Sequence, residues 1–187
     1  NDFGTVGVVN EDVEDESLKV IEVTPYRTES EYSDARRPDS VEFGVSLDED
    51  LKRRDFTINA IAFRPTDETL VDNYGGVDDI RKKRLKTVGD PDERFSEDAL
   101  RMMRAVRLSA ELNFAIESDT MNSITKNSDI LGRISTERIR DEWLKVLNSA
   151  VPMQGMVMLE RLGLIDYILP EIKDSIGCEQ GGIHAYD

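Results

Sequence analysis

One change of rhythm divides this sequence and limits what it can fold into. Up to about residue 73 the apolar residues come in short β-branched runs, and from about residue 75 they recur at helical spacing. Runs of the first kind fit strands, and a stripe with a 3.6-residue period fits helices laid on a core. Phe3–Val9 and Leu18–Thr24 are two such runs with the acidic stretch Asn10–Ser17 between them, which predicts an antiparallel hairpin. Segment 27–43, with Arg36-Arg37-Pro38-Asp39-Ser40, has no clean period and reads as a mobile loop. Ser46-Leu47-Asp48-Glu49 is a capping box, so a short helix should start there. Ile58–Phe63 and Leu70-Val71 read as strands split by Pro65-Thr66-Asp67-Glu68.

In the helical part, Ser96 is a candidate cap for a helix over 97–111. At 100° per residue Ala99, Met103, Val106 and Ala110 then share one apolar stripe, with Glu97, Arg101 and Arg104 on the other side. Further helices are expected over Thr120–Lys126, Thr136–Asn148 and Met153–Leu162, with Pro152 in a first turn and Gly163 as a stop. Trp143 is spaced with Ile139 and Leu147 as helix core. The fold class is therefore α+β: a β-rich front over 1–73 with an antiparallel or mixed sheet, then helices over 74–134 and 135–187.

Net charge taken alone argues against one class of partner. The 187 residues carry 39 acids and 24 Lys and Arg, a formal −15, and phosphate binding depends on Lys and Arg. The charge is segregated, however. Residues 1–50 hold 15 acids against 4 bases and residues 108–187 hold 13 against 7, whereas residues 51–107 hold 11 against 13. The basic stretch includes Lys52-Arg53-Arg54 and Arg81-Lys82-Lys83-Arg84 with Lys86. Because salt confines each field to about 8 Å, local patches outweigh the total. No apolar run approaches the roughly 18 residues of a membrane span and no signal-peptide pattern is present, so no membrane partner is expected. The single cysteine, Cys178, excludes an internal disulfide framework and suits a reducing compartment such as the cytoplasm.

Two segments carry candidate chemistry. In Arg53-Arg54-Asp55-Phe56-Thr57-Ile58-Asn59-Ala60, an aspartate beside two arginines can fix one guanidinium and leave the other for phosphate or hydroxyl oxygens, or simply anchor a turn. In Arg94-Phe95-Ser96-Glu97-Asp98-Ala99-Leu100-Arg101, Asp98 and Arg101 are three apart and can project into one cleft. A carboxylate next to a guanidinium offers acceptor and donors in one plane. Cytosine and adenine each show an amine donor beside a ring-nitrogen acceptor and would be met; guanine and uracil invert that pattern. An ordinary helical salt bridge explains the same pair.

These two segments, with Asp72-Asn73-Tyr74-Gly75-Gly76-Val77-Asp78-Asp79 between them and Glu137-Arg138-Ile139-Arg140-Asp141-Glu142 behind, occur in an order that resembles the class II tRNA nucleotidyltransferases and bacterial poly(A) polymerases. The resemblance covers nearly the whole chain. It implies a partial nucleotidyltransferase head over 1–73, a nucleotide-selecting neck over 74–134 and the start of a helical body over 135–187. It implies ribose and triphosphate contacts from Arg53, Arg54 and Asp55, with Asn59 in the same motif, and a protein template for CTP and then ATP from Glu97, Asp98 and Arg101, with Arg104 beside it. Asp72, Gly75, Gly76 and Asp78 match a hinge between head and neck, and Glu137, Arg138 and Arg140 a brace for the neck helices. Glu22, in Ile21-Glu22-Val23-Thr24 with Arg27, resembles a third acidic residue of the active site and a metal ligand. The Arg36-Arg37 segment resembles a flexible head loop that helps switch specificity from C to A.

The implied reaction is transfer of CMP and AMP from CTP and ATP to the 3′ end of tRNA, with Mg²⁺. Poly(A) polymerase, A-adding and CC-adding enzymes fit the same residues, and a non-catalytic helical RNA-binding module using the basic strip is the reading from another class. The chain starts without Met and ends on Gly181-Gly182-Ile183-His184-Ala185-Tyr186-Asp187, so it is expected to be a piece of a longer protein. His184 and Asp187 would open a metal-binding His-Asp domain or be surface residues. The family's Asp-x-Asp metal ligands should precede Phe3, and Asp48-Glu49-Asp50 falls in the expected capped helix rather than on a strand. Two-metal phosphoryl transfer needs such carboxylates. Residues 1–187 alone should therefore leave a tRNA lacking CCA unextended when incubated with CTP, ATP and Mg²⁺; extension on a sequencing gel would refute this.

Overall fold

The computed structural model describes residues 4–30, 40–175 and 177. The Arg36-Arg37 loop, Cys178 and the His184 and Asp187 pair lie outside these residues. The first hairpin forms as expected: β1 (Val6–Val9) pairs antiparallel with β2 (Val20–Val23), Val6 opposite Val23. The ends of the segment expected to be a loop are strands instead. β3 (Arg27–Ser30) pairs antiparallel with β4 (Ser40–Phe43), Arg27 opposite Phe43. Backbone pairing across a gap in sequence, which no local period can announce, makes this ladder.

Helix α1 (Leu47–Lys52) starts on the expected capping box. Glu49 N–H donates to Ser46 Oγ at 3.3 Å, and Ser46 N–H donates to Glu49 Oε2 at 2.8 Å. Ile58 does not begin a strand. Thr57–Asn59 is a single 3₁₀ turn, and the strand pair comes later, β5 (Ala62–Arg64) against β6 (Thr69–Val71). Local side chains wind the turn: Asp55 Oδ1 accepts from Phe56 N–H and from Asn59 Nδ2, a competition with extended structure typical of Asp and Asn.

Helix α2 (Gly76–Arg81) opens on Gly75, whose φ of +75° suits glycine. Asp72 caps it, accepting from Gly76 N–H at 2.7 Å and Val77 N–H at 2.9 Å. The helical part is not purely helical, because β7 (Arg84–Leu85) pairs in parallel with β8 (Ala115–Ile116). Ser96 does not start a helix. It sits in the last turn of α3 (Pro91–Glu97), where its hydroxyl bonds back to the Glu93 carbonyl. Asp90 with Pro91 provides the stronger start, the Asp90 carboxylate accepting from Asp92 N–H. The chain then breaks at Asp98 (φ −143°, ψ 103°), and α4 (Leu100–Leu112) begins.

Around α4 the core assembles. Ala99, Met103, Val106 and Ala110, the expected stripe, are all buried, joined by Phe56, Phe95, Met102 and Ala105. Against it lie α5 (Ser118–Lys126), α6 (Thr136–Leu147), α7 (Pro152–Arg161), α8 (Ile165–Ile168) and α9 (Pro170–Ser175), all elements of one cluster or its margin. Ile139 is buried and Trp143 packs half-buried on the core, but Leu147, in the last turn of α6, is exposed. Pro152 takes the first turn of α7 and Gly163 follows it at φ +72°, as expected. Where α6 and α7 cross, a Cβ on Gly155 would stand 2.5 Å from Val146 Cγ1. Gly155→Val should therefore cost about 1–3 kcal/mol by overpacking, seen as a lower urea midpoint at unchanged slope, and Val146→Ala in the same chain should recover part of it.

Candidate functional site

The front and back of the molecule meet around a cavity of about 860 Å³, toward the large end of ligand pockets. Its wall includes six arginines (27, 53, 54, 101, 104, 138) and three aspartates (50, 55, 98), a formal surplus of three positive charges in a chain of net −15. Tyr26 and Arg27 come from the entry to β3, residues 50–59 from α1 and the turn after it, Asp98 from the break between α3 and α4, Leu100, Arg101 and Arg104 from α4, and Arg138 from α6.

Arg53, Arg54, Arg101, Arg104 and Arg138 are each held by a defined acceptor. Asp50 is 3 % exposed and binds the two that follow it. Its Oδ1 accepts from Arg53 Nη2 at 2.6 Å and its Oδ2 from Arg54 Nη2 at 3.1 Å. Arg53 Nε also donates to the Arg27 carbonyl at 2.9 Å, and Arg54 Nη1 to the Asn59 carbonyl at 3.1 Å. So Asp55 does not hold its neighbours Arg53 and Arg54 as a sequence-local triad. It is 9 % exposed and its Oδ2 takes Arg104, Nε at 2.9 Å and Nη2 at 2.5 Å, from 49 residues away. Burial raises the Asp55 carboxyl, but the Arg104 charge and hydrogen bonds outweigh it and keep the group below the usual range. Asp50 shows the same balance, burial opposed by Arg53, with the same outcome. Both carboxylates therefore stabilise the fold above the ordinary aspartate range, and that contribution fades as pH falls through their lowered values.

Asp98 and Arg101 both line the cavity but are braced separately. Asp98 Oδ1 accepts from Leu100 N–H at 3.1 Å and its Oδ2 from Arg138 Nη2 at 2.8 Å. Arg101, 9 % exposed, pairs with Glu97, which also pairs with Arg94, and its Nη2 donates to the Arg53 carbonyl at 3.3 Å. Arg138 is thus the member of the last motif that reaches the cavity. Glu137 is exposed, and Arg140 pairs with exposed Asp141. Asp78 likewise faces solvent, paired with Lys82, while its neighbour Asp79, 1 % exposed, accepts from Thr57 Oγ1 at 2.6 Å and Arg84 Nε at 2.6 Å. Gly76 lies so close beneath that a Cβ there would meet the Thr57 carbonyl oxygen at 2.2 Å.

Glu22 is exposed on β2 and does not line the cavity. No group of three or more His, Cys, Asp or Glu suited to a metal occurs among the described residues, and the three cavity aspartates spend their oxygens on guanidinium and backbone donors. Sequence reasoning missed Asp50, although its spacing of three and four from Arg53 and Arg54 was the available signal. It also missed Glu142, buried on α6 and joined to Arg107 at 2.7 Å and Lys145 at 2.8 Å. Arg104→Met, which strands the buried Asp55 charge, should cost about 3 kcal/mol at neutral pH in urea unfolding, and Asp55→Leu in the same chain should restore much of it.

Known proteins resemble this chain along most of its length. Residues 1–86 match a model described as the poly A polymerase head domain, and residues 113–176 one described as a probable RNA- and SrmB-binding site of polymerase A. The CCA-adding enzyme of Levilactobacillus brevis is 48 % identical over 153 residues, 82 % of this chain and 38 % of that protein. That of Bacillus velezensis is 44 % identical over 184 residues, 98 % of this chain and 44 % of that protein. The crystal structure of the Bacillus stearothermophilus CCA-adding enzyme in complex with CTP superposes with a TM-score of 0.76 at 43 % identity, over 88 % of this chain and 38 % of that one. The chain spans about two-fifths of the length of the curated relatives it matches. With both halves of the chain matched in order, and relatives 44–48 % identical over 82–98 % of it, the chain belongs to the family of CCA-adding enzymes and poly(A) polymerases.

Proposed function

We propose that the protein is an RNA 3′-end nucleotidyltransferase that adds CMP and AMP, from CTP and ATP, to the 3′ end of tRNA, and that residues 1–187 provide the wall that holds and selects the nucleotide. The observation that carries this reading is the shared cavity: Asp98 and Arg101 stand on it together with arginines held in place by buried aspartates. Arg53, Arg54 and Arg104 would face the triphosphate and ribose, with Asn59 beside them. Guanidinium groups suit this because their donors match phosphate oxygens in pairs.

The base would meet Asp98 and Arg101. Because Arg138 holds Asp98 and Glu97 holds Arg101 before any nucleotide enters, little ordering is left to do on binding. Mg²⁺ is the cofactor expected for this chemistry, where it would activate the attacking hydroxyl and stabilise the leaving pyrophosphate; no group of three or more His, Cys, Asp or Glu suited to a metal occurs among the described residues. Asp72, Gly75 and Gly76, at the start of α2, would set the angle between the two walls. No helix is long and apolar enough to cross a membrane, and a tRNA-processing role would place the protein in the cytoplasm. The family models named for poly(A) polymerase favour a second reading, an A-only enzyme. Primer extension by the full-length protein with CTP and ATP offered separately decides between them.

Base selection has a direct test in nucleotide binding. The 187-residue chain should bind CTP and ATP about tenfold or more tighter than GTP and UTP, since a mismatched edge leaves polar groups unpaired at about 1–3 kcal/mol. Asp98→Ala and Arg101→Ala should erase that difference. Equal binding of all four triphosphates to the unmodified chain, measured by calorimetry, would refute the template reading.

A further inference from the structure

Outside the cavity, the densest positive feature of the molecule is the turn from α2 into β7. Arg81, Lys82, Lys83 and Lys86 are exposed there and Arg84 is half-buried. Lys83 holds φ at +51°, so the chain turns sharply beneath it. Beyond the turn Leu85 is fully buried, which sends Arg84 and, just past the strand, exposed Lys86 to the same outer side. Three acids lie against this ridge, and each is already engaged. Asp78 pairs with Lys82, Asp79 is buried against Arg84 and Thr57, and Glu117 caps α5 through Thr120 N–H while adding to the field on Arg84. Lys83 and Lys86 form no ion pair among the described residues, and Arg81 only adds its charge to the field on Asp78.

The ridge is rigid and tied to the cavity. Lys83 and Leu85 carbonyls accept from Ala115 and Glu117 N–H, the Lys86 carbonyl accepts from Thr57 N–H at 2.9 Å, and Val88 N–H donates to the Asp55 carbonyl at 3.0 Å. The backbone that carries the ridge is therefore bonded directly to the segment whose Arg54, Asp55 and Asn59 line the cavity. We infer that Arg81, Lys83, Arg84 and Lys86 grip the phosphate backbone of the RNA whose 3′ end enters that cavity. The inference rests on the RNA-end reading above and adds a contact surface outside the segment 113–176 that matches the RNA-binding model. Among polyanions RNA is favoured because the backbone carrying the ridge is hydrogen-bonded to the segment that lines the nucleotide cavity. With −15 on the whole chain, the grip is confined to this ridge and is strongly salt-dependent.

The test compares two double variants that remove the same charge. Lys83→Gln/Lys86→Gln strips the ridge, and Lys19→Gln/Arg64→Gln strips two exposed bases that are already paired with acids elsewhere and lie outside the segment 113–176. Binding of a dye-labelled acceptor-stem minihelix lacking CCA is followed by anisotropy between roughly 50 and 200 mM KCl. The ridge variant should bind about fivefold or more weakly and lose about 1.5 from the slope of log K against log salt, at ~0.7–0.9 per phosphate contact, and the control should keep the slope of the unmodified chain. Equal losses in the two variants, an unchanged ridge variant, or no minihelix binding by the unmodified chain would overturn the inference. So would ridge-dependent binding to phosphatidylserine vesicles without any ridge dependence on RNA. Calorimetry with CTP and GTP on the ridge variant reports separately on the nucleotide reading: discrimination should persist there, and its absence from the unmodified chain refutes that reading without altering the minihelix slopes.

Discussion

A carboxylate buried beside a cavity must be neutralised, and in this molecule two such carboxylates organise everything around them. Asp50 and Asp55, 3 % and 9 % exposed, cannot remain charged without guanidinium partners. Asp50 draws in Arg53 and Arg54 from the next turn of chain, and Asp55 draws in Arg104 from the central helix. The countercharges that the buried acids require are thereby the groups that line the cavity. Removing a partner costs stability because a charge is left buried, and it also removes part of the wall.

Phe56 places those acids. Its ring is fully buried in the core and its backbone bridges Thr87. That anchor puts Asp55 on the cavity side, while Thr57, next in sequence, reaches Asp79 under α2. One short segment thus touches the cavity, the core and the start of the helical part. Helix α4 completes the arrangement from the other side, with its apolar stripe in the core and Arg101 and Arg104 toward Asp55 and the Arg53 carbonyl.

Much of the framework was legible in the residues themselves. The Ser46–Glu49 capping box, the stripe of Ala99, Met103, Val106 and Ala110, and the Pro152 and Gly163 boundaries rest on residues within a few positions of each other, and the first hairpin on two adjacent β-branched runs joined by one acidic turn. Errors came where two local signals competed or where the partner was distant. Ser96 looked like a cap, but Asp90-Pro91 upstream starts the helix first. The strand pair β3–β4 has no local period to reveal it.

The candidate site divides in the same way. Sequence alone determined which residue types cluster in the basic stretch and the family these motifs resemble, because both depend on order and short spacing. Tertiary structure alone decided which acid holds which arginine. Asp55 pairs with Arg104 rather than with its neighbours, Asp98 with Arg138, and Asp79 rather than Asp78 with Thr57. The physical reason is that a buried charge is satisfied by whichever partner packing brings within hydrogen-bond reach, and that is set by how α1, α2, α4 and α6 meet around Phe56 and the core, not by distance along the chain.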